Sequence, residues 1–191
     1  EMAMPEVGGD SILKCPSLLG ATNLYPSAYN PQTGMVYMPG RDMCDKYGYD
    51  EVIEIGGVKS LGASVEFQPG NELNLAFNVS SGTEVWRDAP IDDGYAGGML
   101  TTAGNLTVYG SSNGDINVVN ATSGENLWTF PANITHKSGP MTYELDGKQY
   151  IAQLSGGVQL GGAAFLLNTA PDGGMLYVFS RWSCNDRGCR Q

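Results

Sequence analysis

Apolar residues in this chain recur in short alternating or β-rich runs, cut by Gly, Asn-Gly and Asp-Gly, and no segment holds an apolar period of 3.6 over three turns. The clearest stretch lies between Gly97 and Ala132. It reads Met99–Thr102, a turn at Ala103-Gly104, Leu106–Gly110, a turn at Asn113-Gly114, Ile116–Val119, a turn through Ser123-Gly124, and Asn126–Phe130. Tight Gly-containing turns suit the twist of antiparallel strands, so the pattern predicts a four-stranded antiparallel meander. A meander of this size is the unit of a β-propeller blade.

The pattern repeats. Leu75–Trp86 aligns with Asn117–Trp128, pairing Asn78 with Asn120, Gly82 with Gly124 and Trp86 with Trp128, each 42 residues apart. That period falls in the range of propeller blades. Gly82 and Gly124 are placed to supply a positive φ at a strand-turn-strand corner. Each Trp, four residues on, lies on an outer strand and is placed to wedge between neighbouring sheets. A worn third copy is Phe165–Asn168 followed by Gly173–Tyr177.

The remaining strands are placed by these anchors. A first blade spans about 22–88, with strands at Leu24–Tyr29, Met35–Pro39, Leu73–Asn78 and Thr83–Arg87 and a long insertion over 41–70. The second spans 96–132. The third spans 138–181, with strands at Pro140–Leu145, Lys148–Leu154, Ala163–Asn168 and Met175–Ser180, its first hairpin marked by Asp146-Gly147. A tail, 182–191, is left over. The expected architecture is all-β: about three four-stranded antiparallel blades filling 1–191 as a partial propeller, not a closed ring.

Charge narrows the functions open to such a fold. Ten Lys and Arg against twenty Asp and Glu give a net charge of −10, and five Lys plus five Arg scattered over 191 residues build no phosphate-binding face, so no nucleic-acid partner is expected. No carboxylate cluster has calcium-loop spacing, Asp92-Asp93 being only a pair, so no metal site is expected within this chain. No apolar run approaches the ~20 residues that span a bilayer. The chain opens on Glu1 without a charged-then-apolar leader, which reads as a mature product or a piece of a longer protein. His136 has no visible partner in the sequence, and no Ser/His/Asp or Cys/His set assembles from local motifs, so no catalytic residue is assigned.

Four Cys, at 15, 44, 184 and 189, lie outside C-x-x-C spacing, and an even count of this kind favours disulfides in an oxidising compartment. Cys184 and Cys189 are close enough for a small local loop, with swapped or intermolecular pairing as the alternatives. Asn78, Asn105, Asn120 and Asn133 each open an N-x-S/T sequon. Together these features predict a secreted or extracellular protein carrying N-linked glycans, periplasmic if the source is bacterial.

Several segments resemble the C-terminal part of the pyrroloquinoline-quinone (PQQ) dependent alcohol dehydrogenases, the quinoproteins. They are Cys15–Asn23 (CPSLLGATN), Met43-Cys44, Gly97–Gly104 (GGMLTTAG), Pro140–Tyr150 (PMTYELDGKQY) and Gly173–Phe179 (GGMLYVF). The resemblance implies an eight-bladed ring tied by a Trp-docking motif that Gly82…Trp86 and Gly124…Trp128 match. It also implies a Cys15–Cys44 disulfide. In that family PQQ sits at the propeller axis over calcium, and Asn23 matches a position that contacts the quinone, although a turn or strand-end role explains Asn23 equally well. The calcium ligands and the catalytic Asp of the family belong to earlier blades. Its Trp before Gly-Gly is Ala96 here, and a second cofactor-side Trp is replaced in Val158–Gly162.

With those positions lost, the expectation is no cofactor for this chain alone, PQQ and calcium entering only within a complete quinoprotein. Open sheet faces would associate with other copies or with missing blades. The expected function is therefore a non-catalytic structural or self-assembling role, as oligomer or filament. A fragment or subunit of a PQQ- and calcium-dependent alcohol dehydrogenase is the alternative. A sugar-binding module with Tyr47 and Tyr49 as stacking residues is a weaker third.

Overall fold

The computed structural model describes residues 5–49, 53–60, 62–89, 97–156 and 174–180. Sixteen strands are defined: β1 (Ile12–Lys14), β2 (Ala28–Asn30), β3 (Met35–Asp42), β4 (Asp45–Tyr49), β5 (Ile53–Ile55), β6 (Val58–Ser60), β7 (Ala63–Phe67), β8 (Asn71–Asn78), β9 (Glu84–Asp88), β10 (Met99–Thr101), β11 (Leu106–Gly110), β12 (Asp115–Asn120), β13 (Asn126–Pro131), β14 (Met141–Leu145), β15 (Lys148–Gly156) and β16 (Gly174–Ser180). The described residues contain no helix and no closed barrel.

Three sheets match the predicted repeat. The first orders β2-β3-β8-β9, the second β10-β11-β12-β13 and the third β14-β15-β16, all antiparallel. Met35, Tyr37, Ala76 and Trp86 of the first sheet meet Met99, Tyr109, Val119 and Ala121 of the second in one buried cluster. Most of these side chains come from alternating positions of their strands, which is how two sheets share a core.

Four features depart from the sequence expectation. The segment 41–70 is not a bare insertion, because β4 pairs with β1 and β7 in a separate three-stranded sheet and β5–β6 form a hairpin. Strands β3 and β8 run on to Asp42 and back to Asn71, so the ladder continues to the root of that subdomain. The opening strand of the first sheet is shorter than expected, starting at Ala28, since Pro26 has no N–H to give a ladder. In the third sheet β15 pairs directly with β16, from Tyr150 opposite Ser180 to Gly156 opposite Gly174. The expected third strand at Ala163–Asn168 lies outside the described residues, as does the tail with Cys184 and Cys189.

Two irregularities matter for the packing. The β8–β9 register shifts between Ala76 and Phe77, and the β12–β13 register shifts between Val118 and Val119, 42 residues later. Val85 and Leu127 are the extra residues, and both are exposed. A one-residue bulge reverses the faces of the strand beyond it. Without it Val85 would oppose Ala76; with it Trp86 does, on the face that meets the second sheet.

Candidate functional site

Residues of several elements converge at one end of the first two sheets. Register puts Arg41 of β3 opposite Glu72 of β8, and Asn74 opposite Asp88 of β9. At the matching end of the second sheet Gly110 opposes Ile116, with the turn Ser111–Gly114 between β11 and β12. The loop carrying Asn23 is tied here too: Arg41 N donates to the Ala21 carbonyl at 2.7 Å. Asp45, fully buried, anchors the same loop by accepting from Leu18 N at 2.7 Å, and ties it to the end of β7 by accepting from Gln68 N at 3.3 Å.

A buried polar network sits at this end. One Glu72 carboxylate oxygen accepts from Ser112 N at 2.8 Å and the other from Asn74 Nδ2 at 3.1 Å, so one side chain joins the first sheet to the second. Burial nevertheless pushes the Glu72 carboxyl above its usual range, opposed by these hydrogen bonds, with the Asp88 charge adding to the rise. Tyr109 donates its hydroxyl to Asp88 Oδ2 at 2.6 Å, and burial followed by that contact holds its phenol protonated. Lys137, in the loop before β14, feels the charges of Glu72 and Arg41. Its Nζ is shut from solvent without a hydrogen-bond partner among the described residues. Burial lowers its pKa to about 8, with Glu72 opposing and Arg41 reinforcing the shift.

His136, partnerless in the sequence, is fully buried, and its Nδ1 lies 2.8 Å from Ser155 Oγ. Its ring fills the space a side chain at Gly110 would need, so that glycine is required for close approach. Burial depresses the imidazole pKa against the pull of the Gly114 carbonyl and Asp115. A tightly enclosed neutral histidine of this kind is a packing element.

The other candidate residues fall in three places. Asn23 is exposed, and its Nδ2 donates to the Leu19 carbonyl at 2.9 Å, a turn contact. Cys15 and Cys44 form a disulfide that staples the Asn23 loop to the root of the β4 subdomain. Trp86 is buried, donates Nε1–H to the Ala121 carbonyl at 2.8 Å and lies on Gly124, where an added Cβ would stand 2.8 Å from the indole. Gly82 and Gly124 hold φ of 68° and 75°. Trp128 is 43% exposed and meets Phe179 edge-on at 5.1 Å.

The sequon asparagines carry local structure. Asn78 Oδ1 accepts from Ser80 N and Ser81 N, and Asn120 Oδ1 from Thr122 N and Ser123 N, each closing the turn before the outer strand. Asn105 and Asn133 adopt positive φ, 60° and 55°, and each uses its Nδ2 locally, on Asn120 Oδ1 and the Pro131 carbonyl. Ala96 and Val158 lie outside the described residues.

The described residues hold no group of three or more His, Cys, Asp or Glu able to bind a metal ion. Asn23 is engaged in its own turn, and the buried carboxylate Glu72 is turned to backbone and amide donors. Glu72, Asn74 and Lys137 do not stand out as candidates in the sequence. A signal for two of them is nevertheless present: in the 42-residue register, Glu72 stands where the second sheet has Gly114, and Asn74 where it has the fully buried Ile116. A polar pair in a core register calls for buried partners.

Residues 75–151 match the family described as the β-propeller domain of glucose/ethanol/alcohol dehydrogenases, PQQ. The quinoprotein alcohol dehydrogenase PedH of Pseudomonas putida is 35% identical over 186 residues, covering 91% of this chain and 31% of that protein. A lanthanide-dependent methanol dehydrogenase of Methylorubrum extorquens is 31% identical, covering 87% of this chain and 32% of its own length. The crystal structure of a quinohemoprotein alcohol dehydrogenase from Comamonas testosteroni superposes with a TM-score of 0.76 at 25% identity, covering 95% of this chain and 30% of that one. The chain thus spans about a third of the length of these relatives. All three are dehydrogenases, which overturns the expectation of a structural or self-assembling role.

Proposed function

From the premise that this chain belongs to the PQQ β-propeller dehydrogenase family, we propose that it is a segment of a PQQ-dependent alcohol dehydrogenase. The observation that carries this reading is the alignment of 91% of the chain to 31% of a quinoprotein alcohol dehydrogenase. The whole protein would oxidise a primary alcohol to an aldehyde, with PQQ as the two-electron acceptor and a calcium or lanthanide ion beside it. The described residues include no group of three or more His, Cys, Asp or Glu for the metal. Their part is to stack blades and to fix the Asn23 loop through Asp45, Arg41 and the Cys15–Cys44 bridge.

A periplasmic or otherwise extracytoplasmic location accords with that bridge. Among the described residues no helix is long and apolar enough to cross a membrane. The test is reconstitution of the full-length protein with PQQ and either calcium or a lanthanide, then dye-linked oxidation of primary alcohols. Turnover that requires both quinone and metal is expected, and its absence from the correctly loaded protein overturns the reading. The 191-residue chain alone is expected to show none.

A further inference from the structure

Thirteen asparagines lie along this chain, and only Asn113 is followed by glycine. That pair lies in the turn between β11 and β12, where Ser111 N donates to the Asp115 carbonyl at 2.8 Å and Gly114 N to the Ser111 carbonyl at 3.1 Å. The Asn113 side chain is exposed and folds forward onto Asp115. Its Oδ1 accepts from Asp115 N and its Nδ2 donates to Asp115 Oδ2, both at 3.0 Å. A backbone N–H on Oδ1 draws electrons from the amide carbon Cγ and makes that carbon a better target for a nucleophile. Gly114 has no Cβ, so its nitrogen is the least shielded nucleophile that can follow an asparagine.

The same turn touches the structure on both of its sides. Ser112 N donates to the buried Glu72 carboxylate of the first sheet at 2.8 Å. On the other side Gly114, at a φ of 95°, presses on the loop that leads to the third sheet. An added Cβ there would stand 2.9 Å from Ile134 N and 3.0 Å from Asn133 Cα. Any change in the length or charge of this turn is therefore felt by the first sheet and by the approach to the third.

We propose that Asn113 is a site of spontaneous deamidation, and that its products loosen the hold of this turn on both neighbours. Gly114 N attacks Asn113 Cγ and the Cγ–Nδ2 bond breaks. The proton lost from Gly114 N leaves with the side-chain amino group as ammonia. The five-membered succinimide then takes up one water. Opening at one carbonyl gives aspartate at 113, and opening at the other gives isoaspartate, whose backbone runs through the side chain. Aspartate sets a carboxylate against Asp115 where an N–H donor stood, a like-charge contact. Isoaspartate lengthens the turn by one backbone atom, drawing Ser112 N from Glu72 and Gly114 from Asn133. The bond from Gly114 N to Ser111 must open before the attack, so the folded chain reacts more slowly than the unfolded one. The step needs only water, and is independent of the reaction the whole protein performs.

The experiment ages full-length protein in warm, mildly alkaline buffer beside a sample unfolded in guanidinium. Peptide mapping by mass follows the exchange of NH2 for OH, and an isoaspartyl methyltransferase counts the isoaspartate. Among the asparagines of residues 1–191, Asn113 is expected to convert at least about tenfold faster than any other in the folded sample, since only its turn has to open. In the converted fraction, separated by its charge, the amides of Ser112 and Gly114 are expected to exchange with solvent about tenfold faster than in fresh protein. Asn113→Ser keeps a turn-forming oxygen and removes the amide, and its amides are expected to exchange alike before and after ageing. Three results each overturn the proposal: Asn113 intact when the unfolded sample has fully converted, faster conversion at another asparagine, or converted protein whose Ser112 and Gly114 amides exchange as before. Equal loosening of the aged Asn113→Ser protein does so as well.

Discussion

The two sheet junctions in this chain use the same repeat and reach opposite ends. Between the first and second sheets, Trp86 is buried, hydrogen-bonded to Ala121 and seated on Gly124, beside a core built from both sheets. Between the second and third, Trp128 is half-exposed over a cleft, held by edge contacts with Phe179 and by stacking with its own neighbour Phe130. Among the described residues, only the Trp86 junction has a receiving hairpin, at Ala121–Gly124. The glycines agree. A Cβ at Gly124 meets Trp86, whereas one at Gly82 meets nothing within 4 Å, so Gly82 keeps only its conformational role.

The largest expected effect tests that contrast directly. Trp86→Ala should destabilise by about 3–5 kcal/mol in denaturant titration, through lost burial and an orphaned Ala121 carbonyl. Gly110→Ala should cost about 1–3 kcal/mol, because the His136 ring already occupies the space. A neutral cost there would mean the ring is free to move aside. Trp128→Ala should cost only about 1 kcal/mol in the 191-residue chain, from ring contacts alone. If it matches Trp86→Ala, the two junctions are equivalent and the contrast fails.

A pH experiment sharpens the comparison, since Lys137 lies on the approach to the third sheet and feels the charges of Glu72 and Arg41 in the first. Its folded pKa of about 8 lies below the ordinary 10.5. Between those values the unfolded chain binds a proton that the folded chain has released, so stability should rise with pH from about 8 to 10.5. Lys137→Met should flatten that rise and leave stability at pH 7 equal or slightly higher, within about 1 kcal/mol. A rise that persists in the variant would assign it to another group.

Much of the fold was legible because strand alternation and Gly turns are local signals. Met99–Phe130 declares its four strands, and Asp146-Gly147 declares the β14–β15 hairpin. The β4–β7 subdomain was not legible, because its sheet recruits β1 from about thirty residues upstream and nothing local records such pairing. The adjacent apolar pairs Val85-Trp86 and Leu127-Trp128 broke alternation for a reason visible only in the ladder, namely the bulge. The buried network was half-legible: Glu72 and Asn74 stand out against Gly114 and Ile116 in the repeat. Lys137 does not, since its partners lie on another sheet. The sequons read as glycan acceptors also serve as turn residues, with Asn78 and Asn120 accepting from two backbone amides each.

The paired bulges at Val85 and Leu127 have a consequence for how such a protein changes over generations. Because each slip restores the orientation of its tryptophan at the same step of the repeat, the stretch from inner hairpin to outer tryptophan behaves as a cassette whose two ends share one geometry. Whole cassettes could be duplicated, lost or exchanged without re-aiming the next contact. Inserting a single residue within one, after Val85 and with the one-residue bulge kept, would set its tryptophan opposite Leu75, turn it outward and break the joint. Such a chain tolerates edits in units of a blade far better than edits in units of a residue.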